Sequence, residues 1–202
     1  MRRALAVIVA VGLIAVAGCG GGGGAGTQGQ AGSERFAGIA VSGPKPAPPL
    51  ALRNYRGGQI NLKQYRGKAV LVTFIYTHCP DVCPLIVSHL RTTQAQLGSA
   101  ARKLQIVAVS TDPRGDTPRT VAAFVKAHGM TGRMKYLIGS RRELERVWGA
   151  WNIVAKPEGG HGLVGHSALV YGIGADGRIR TLYSANFRPL ELVHDVPLLE
   201  AQ

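Results

Sequence analysis

Apolar residues along this chain come in two rhythms, and each predicts a different kind of element. Residues 69–76, Ala-Val-Leu-Val-Thr-Phe-Ile-Tyr, form a nearly unbroken apolar, β-branched run of strand length, the pattern of a central strand buried on both faces. Beyond it, Leu85, Ile86, Leu90 and Leu97 recur at helical spacing until Gly98, a residue that readily ends helices. A second apolar strand is predicted over 104–110. A helix over about 117–128 follows, with Pro118 near its first turn, where a missing N–H breaks no helical bond. Residues 134–138 predict a third strand, and 141–148 a charged helix that turns Leu144 and Val147 inward. The stretches 167–173 and 179–183, separated by Ala175-Asp176-Gly177, predict a hairpin. Strands alternating with helices and then a hairpin make an α/β domain with a central mixed sheet.

The first residues follow a different pattern. Met1-Arg2-Arg3 precedes a mostly apolar run over 4–17 and then Gly18-Cys19, which is a charged region, an apolar region and a small-residue cleavage neighbourhood. The apolar run is shorter than the roughly 20 residues a permanent bilayer-spanning helix needs, so it reads as an export signal that is removed. Ala15-Val16-Ala17-Gly18-Cys19 resembles the lipobox of bacterial lipoproteins, in which the Cys is lipidated and becomes the first residue of the mature chain. The expectation is a signal peptide over 1–18, a lipid on Cys19 and a protein on the extracytoplasmic face of a bacterial membrane. An uncleaved anchor or an ordinary secretory Cys is the alternative, and it too places the protein outside the cytoplasm. Residues 19–49 read as a tether, Gly-rich and flexible to about Gly32 and stiffer at Gly43-Pro-Lys-Pro-Ala-Pro-Pro49. The folded domain is expected over 50–202.

Composition narrows the class. A chain of 202 residues, 46% hydrophobic and 17% charged with mean hydropathy +0.08, is neither a disordered polyelectrolyte nor a multi-span membrane protein. Lys and Arg total 24 against 11 Asp and Glu, a net charge of +13. The basic residues are scattered, however, with no Lys/Arg run, RNP-type aromatic signature or zinc-finger spacing, so no nucleic-acid partner is expected. A basic surface near anionic lipid fits the same charge.

The densest chemistry is Thr77-His78-Cys79-Pro80-Asp81-Val82-Cys83-Pro84, between the central strand and the next helix. Open α/β sheets bind ligands in the crevice beyond strand carboxyl ends. Cys79 and Cys83 are four positions apart, so on a helical turn or tight loop both sulfurs can face one side and share a disulfide or a metal ion. A bridge closing so short a loop constrains the unfolded chain by roughly 2 kcal/mol in the entropic account, against about 4.7 for a 100-residue loop, so a purely structural disulfide is the weaker reading. A helix N-terminus and the neighbouring His78 would both favour thiolate, the form that binds soft metals and attacks disulfides. Two thiolates leave a soft metal short of ligands. His166 is the best third candidate, because it opens the predicted strand from Ser167 and can approach the Cys loop if the two strands are neighbours. His89, His128 and His194 read as surface or hydrogen-bonded residues. His78, beside Cys79, and His161, in a Gly-rich loop, are nearer alternatives.

Three segments in order carry a family resemblance: Phe74-Ile75-Tyr76-Thr77-His78-Cys79-Pro80-Asp81-Val82-Cys83-Pro84, Val109-Ser110-Thr111-Asp112-Pro113-Arg114-Gly115-Asp116-Thr117-Pro118, and Gly165-His166-Ser167. Together they resemble the Sco/SenC family of copper-binding assembly factors, over roughly residues 50–183. The resemblance implies a thioredoxin-like fold and copper, as Cu(I) and also Cu(II), held by Cys79, Cys83 and His166. It implies a role in delivering copper to the binuclear copper centre of cytochrome c oxidase, with the oxidase's copper-centre subunit as client and another copper chaperone or a thioredoxin-like reductant as further partner. The sequence departs from the family pattern at Gly165, where an Asp often precedes the ligand His, and at Gly115, where Arg often precedes the Asp. Neither touches a proposed ligand. Asp81 and Asp112 suit a helix start and a turn, with support of the metal site as the alternative.

The competing reading is a thiol-disulfide oxidoreductase using Cys79 and Cys83 as its catalytic pair. Thioredoxin-type enzymes typically carry C-x-x-C and a cis-Pro just before a later strand. Here the spacing is C-x-x-x-C, and no Pro occurs between Pro157 and Pro189, so His166 stands where that Pro is expected. A thiol peroxidase is disfavoured, because the Pro-x-x-x-Thr-x-x-Cys segment of a peroxiredoxin is absent.

Overall fold

In the computed structural model, which describes residues 35–158, 163–165 and 168–202, the strands are β1 (Ile39–Ala40), β2 (Ala51–Asn54), β3 (Gln59–Asn61), β4 (Ala69–Ile75), β5 (Leu104–Ser110), β6 (Met134–Ile138), β7 (Lys156–Glu158), β8 (Leu163–Gly165), β9 (Leu169–Ile173) and β10 (Ile179–Ser184). The α-helices are α1 (Val82–Leu97), α2 (Pro118–Ala127), α3 (Arg141–Ala150) and α4 (Pro189–Glu200). Eight strands form one sheet in the order β1-β10-β9-β4-β5-β6-β2-β3, and β7 pairs with β8 apart from it. β4, β5 and β6 run parallel, and the remaining pairs are antiparallel. The sheet is therefore mixed and flanked by helices, as the alternating pattern predicts.

All seven residues of β4 are buried, which is why its run has no polar alternation. Its one hydroxyl, on Thr73, donates to the Leu169 carbonyl of β9 at 3.0 Å. Ala69, Leu71 and Ile75 pack on one face with Ile86, Val87 and Leu90 of α1, Val121 and Val125 of α2, and Leu192, Val196 and Leu199 of α4. Val70, Val72 and Phe74 point the other way, toward Leu144, Val147 and Trp148 of α3. The helix starts follow local chemistry. Thr117 and Thr120 satisfy each other's backbone N–H groups at the start of α2, and Ser140 and Glu143 do the same for α3.

Sheet pairing begins upstream of Leu50, the expected start of the domain. Ile39 and Ala40 pair with Leu182 and Thr181, Pro46 bridges to Arg178, and Ile179 donates to the Lys45 carbonyl at 2.9 Å. The segment is fastened by Asp195, which is fully buried and accepts from the N–H groups of Ala37 at 2.8 Å and Gly38 at 3.0 Å. Tyr183 donates its hydroxyl to the same carboxylate at 2.7 Å, and His194 Nδ1 lies 2.6 Å from it. Gly38 has to be glycine there, since a Cβ would run into the Tyr183 ring and the Thr181 hydroxyl. Proline-rich composition suggested a spacer, but the outer edge of β10 offers backbone groups that the segment can pair with.

Asp195→Ala would leave the buried Tyr183 hydroxyl and the half-buried N–H groups of Ala37 and Gly38 without their acceptor. It is expected to cost roughly 2 to 4 kcal/mol in urea unfolding and to speed hydrogen exchange at Ala37 and Gly38. An unchanged midpoint would mean that β1 pairing alone holds this segment.

Candidate functional site

β4 ends at Ile75 and α1 begins at Val82, so the Cys loop spans the gap between a buried strand and a helix N-terminus. Cys79 is 7% exposed and Cys83, in the first turn of α1, is fully buried. Neither sulfur is in a disulfide in this structure. The Cys79 N–H reaches the Tyr76 carbonyl at 3.4 Å, and the Cys83 N–H donates to Cys79 Sγ at 3.3 Å. Asp81 occupies the N-cap position as its residue type predicts, yet its side chain makes no capping bond. The Cys79 sulfur takes that place, accepting the second helical N–H that a capping carboxylate would ordinarily receive.

A sulfur in that position is favoured as the anion. The Cys79 thiol is lowered to about 5, chiefly because the Cys83 thiol donates to it, with burial opposing and the Asp81 and Cys83 N–H groups and the Tyr76 side chain adding to the lowering. Cys83 is pushed strongly up, because its proton is engaged by Cys79 and because it is buried. The expectation that helix amides favour thiolate is met in these contacts. The chief cause is Cys83 rather than His78, whose exposed ring lies with Nδ1 3.2 Å from Thr77 Oγ1. The pair is thus one thiolate and one thiol, poised to bind a soft cation or to attack a disulfide.

The loop is held from the side by Asp116, which the sequence reading did not single out. This carboxylate is 4% exposed. Its Oδ1 accepts from Thr77 N–H and Thr77 Oγ1, both at 2.8 Å, and its Oδ2 accepts from Ser110 Oγ at 2.6 Å and Tyr136 Oη at 2.8 Å. Burial raises the Asp116 carboxyl above the ordinary range, with the donors from Ser110, Thr77 and Tyr136 pulling against it. Asp112 builds the adjoining turn, accepting from the N–H groups of Arg114 at 3.1 Å and Gly115 at 3.0 Å, as its turn reading predicts. Gly115 lets that turn lie against the Cys loop, since a Cβ there would meet the Asp112 carboxylate and come within 2.9 Å of His78 Nδ1. The departure from Arg at this position therefore goes with close backbone packing.

Of the three histidines read as surface or hydrogen-bonded residues, His194 is hydrogen-bonded, whereas His89 and His128 are half-buried against aromatic rings and the buried His89 Nδ1 has no hydrogen-bond partner among the described residues. His89 packs edge-on against Phe187, His128 against Phe124 at 4.5 Å, and His194 pairs with Asp195. His166, His161 and Cys19 lie outside the described residues. β9, whose described chain resumes at Ala168, is hydrogen-bonded to β4, with Val170 opposite Thr73. The two strands are thus neighbours, the condition under which a residue opening β9 can approach the Cys loop.

A model of the SCO1/SenC family matches residues 43–199. The mitochondrial SCO1 homologue of Homo sapiens is 29% identical over 154 residues, 73% of this chain and 50% of that protein, so the chain spans half the length of that relative. Bradyrhizobium japonicum ScoI with copper bound superposes with a TM-score of 0.68 at 28% identity, covering 77% of this chain and 99% of that one. BsSco, a member of the Sco family of cytochrome c oxidase assembly proteins in which a disulfide switch has been identified, gives 0.68 at 26% identity over 81% and 98% of the two chains. The thioredoxin-like arrangement is common to all of these structures.

Alkylation of the reduced protein should report the asymmetry of the thiols. Iodoacetamide is expected to label Cys79 first, at a rate rising with pH around a midpoint near 5. Peptide mapping checks the position. A midpoint near 9, the ordinary thiol value, would contradict the assignment of the thiolate to Cys79.

Proposed function

The chain belongs to the SCO1/SenC family, and we propose that it is a lipid-anchored, extracytoplasmic copper chaperone that binds copper through Cys79, Cys83 and His166 and helps assemble the binuclear copper centre of cytochrome c oxidase. The observation that carries this reading is the thiol pair, buried at a helix N-terminus with the Cys83 N–H donating to Cys79 Sγ. Soft sulfur donors suit Cu(I), and the loss of the Cys83 proton to a binding cation would add the second thiolate. The antiparallel pairing of β9 with β4 supports His166 as third donor, since it brings the start of β9 beside the end of β4 from which the Cys loop departs, and His166 is two residues before Ala168 in the sequence. A three-ligand site leaves room for an incoming thiolate from a client, so copper can pass by direct docking without a free ion. Copper bound to ScoI of Bradyrhizobium japonicum supports the cargo, and the assembly role of the Sco family to which BsSco belongs supports the client.

The anchor rests on the lipobox-like Ala15-Val16-Ala17-Gly18-Cys19 and on the basic charge of the chain. Among the described residues no helix is long and apolar enough to cross a membrane. Two acyl chains would hold the protein at a bilayer where one gives only marginal binding.

A second reading, reduction of a client's cysteines, is favoured by the same asymmetry and by the disulfide switch identified in BsSco. Cys79 would attack a client disulfide and form a mixed disulfide. Cys83 would then displace the client thiol, leaving the Cys79–Cys83 bridge with the client reduced.

Titration of the reduced, soluble domain with Cu(I) is expected to give one copper per chain. Cys79→Ala should abolish tight binding, and His166→Ala should weaken it without unfolding the domain. Equal affinity in the oxidised protein would remove the thiols from the ligand set. In cells, the delivery reading expects deletion to lower oxidase activity and added copper to restore part of it, with His166→Ala resembling deletion. The reductase reading expects rescue by an external thiol and full activity in His166→Ala. Mass spectrometry should find Cys19 diacylated, and an unmodified Cys19 in membrane-free fractions would overturn the anchor.

A further inference from the structure

A buried carboxylate that accepts four hydrogen bonds has filled the roughly four acceptor positions its two oxygens offer. Asp116 is in that state, with two donors from Thr77 on one oxygen and one each from Ser110 and Tyr136 on the other. It therefore has little capacity left for a metal ion or a client. What it does have is reach. Thr77 lies two residues before Cys79, Ser110 is the last residue of β5, and Tyr136 is in β6, so one side chain ties the Cys loop to the two parallel strands beside β4. Tyr136 Oη also lies 3.2 Å from the Ile75 carbonyl, at the end of β4, and Trp148 Nε1 holds the Ser110 carbonyl at 3.0 Å from the opposite face. The anchor of the carboxylate is thus itself fixed from both sides of the sheet.

Thr77 gives this carboxylate both its N–H and its hydroxyl, which fixes the backbone and the side-chain rotamer of the residue from which the loop departs. The direction of the chain at Thr77 decides where Cys79 Sγ lies relative to the first turn of α1, and hence whether it can accept the Cys83 N–H. We propose that Asp116 is a positioning residue for the thiol pair, setting the relative placement of Cys79 and Cys83, and through it both copper affinity and the ease of disulfide formation, without touching either sulfur. The copper half of this inference rests on the function proposed above, and the disulfide half does not.

The test compares Asp116→Asn with Asp195→Asn, which disturbs a second buried carboxylate remote in sequence from the Cys loop and serves as the control for lost stability. Cu(I) affinity is measured by competition with a chromogenic chelator, and the thiol-disulfide equilibrium against a glutathione buffer. Asp116→Asn is expected to weaken Cu(I) binding by about 10-fold or more, the scale on which supporting hydrogen bonds act at metal sites, and to shift the disulfide equilibrium measurably. Asp195→Asn should leave both readings at the wild-type value even if it lowers the urea midpoint as much. Thr77→Val, which keeps the shape and the N–H but removes one donor, should move both readings the same way by a smaller factor, and it carries the test if Asp116→Asn does not fold. Wild-type values in Asp116→Asn, or equal changes in the two Asn variants, would overturn the proposal. If wild-type protein binds no copper, the chaperone reading fails, and the disulfide equilibrium alone decides the role of Asp116.

Discussion

A strand buried on both faces has nowhere along its length to put chemistry. β4 is such a strand, with helices on one side, α3 on the other and hydrogen-bonded neighbours at both edges. Reactive groups can appear only where it stops, and it stops at the Cys loop. The same burial makes that stop rigid, because the strand end cannot shift without disturbing a close-packed core. The position of the thiols is in this sense inherited from the sheet. Thr73 shows how little polarity the strand admits: its hydroxyl is tolerated because β9 supplies a carbonyl for it.

At the loop, one contact has two consequences. By accepting the Cys83 N–H, Cys79 Sγ fills the capping role that the Asp81 side chain leaves open, and a negative sulfur there also faces the positive end of the helix. The Cys83 thiol adds a further donor and so keeps its own proton. The Cys83 thiol, with the helix N–H groups adding to it, therefore produces an unequal pair. Such a pair serves metal binding and disulfide exchange alike, which is why the discriminating weight falls on a third donor and not on the cysteines.

The parts of the fold that declared themselves in the sequence are those held by burial. β4, β5, β6 and the first three helices follow apolar runs and spacings that can be read within a short window. What did not show is held by partners distant in the chain. β2 and β3 are too short for alternation to stand out, and β1 consists of two exposed residues whose only reason to be strand is the edge of β10. α4 carries Pro197 inside it, a residue that argues against helix, and is kept by burial of Leu192, Val196 and Leu199. At the site, the Cys loop was legible because spacing and residue type coincide in eight residues. Asp116 was not, although it lies in one of the segments that carry the family resemblance, because its meaning depends on Tyr136, a polar tip within a strand that reads as plain core. Strand order decides that meeting, and strand order is not written in any window of the sequence.

Asp116 and Asp195 have a common logic that bears on the outside of the protein. Each is a buried carboxylate saturated with donors, and each joins chain segments far apart: 39 residues separate Asp116 from Thr77, and 158 separate Asp195 from Ala37. Closing such loops is entropically unfavourable, so these bonds form when the sheet has already brought their ends together, and they lock an arrangement that burial selects. The chain has only 11 acidic residues against 24 basic ones, and placing two of the acids inside leaves the surface more strongly basic than the composition alone implies. Anionic lipid headgroups or an acidic client face would be drawn to such a surface at moderate salt, while the two buried carboxylates order the segment before β2 and the loop before α1.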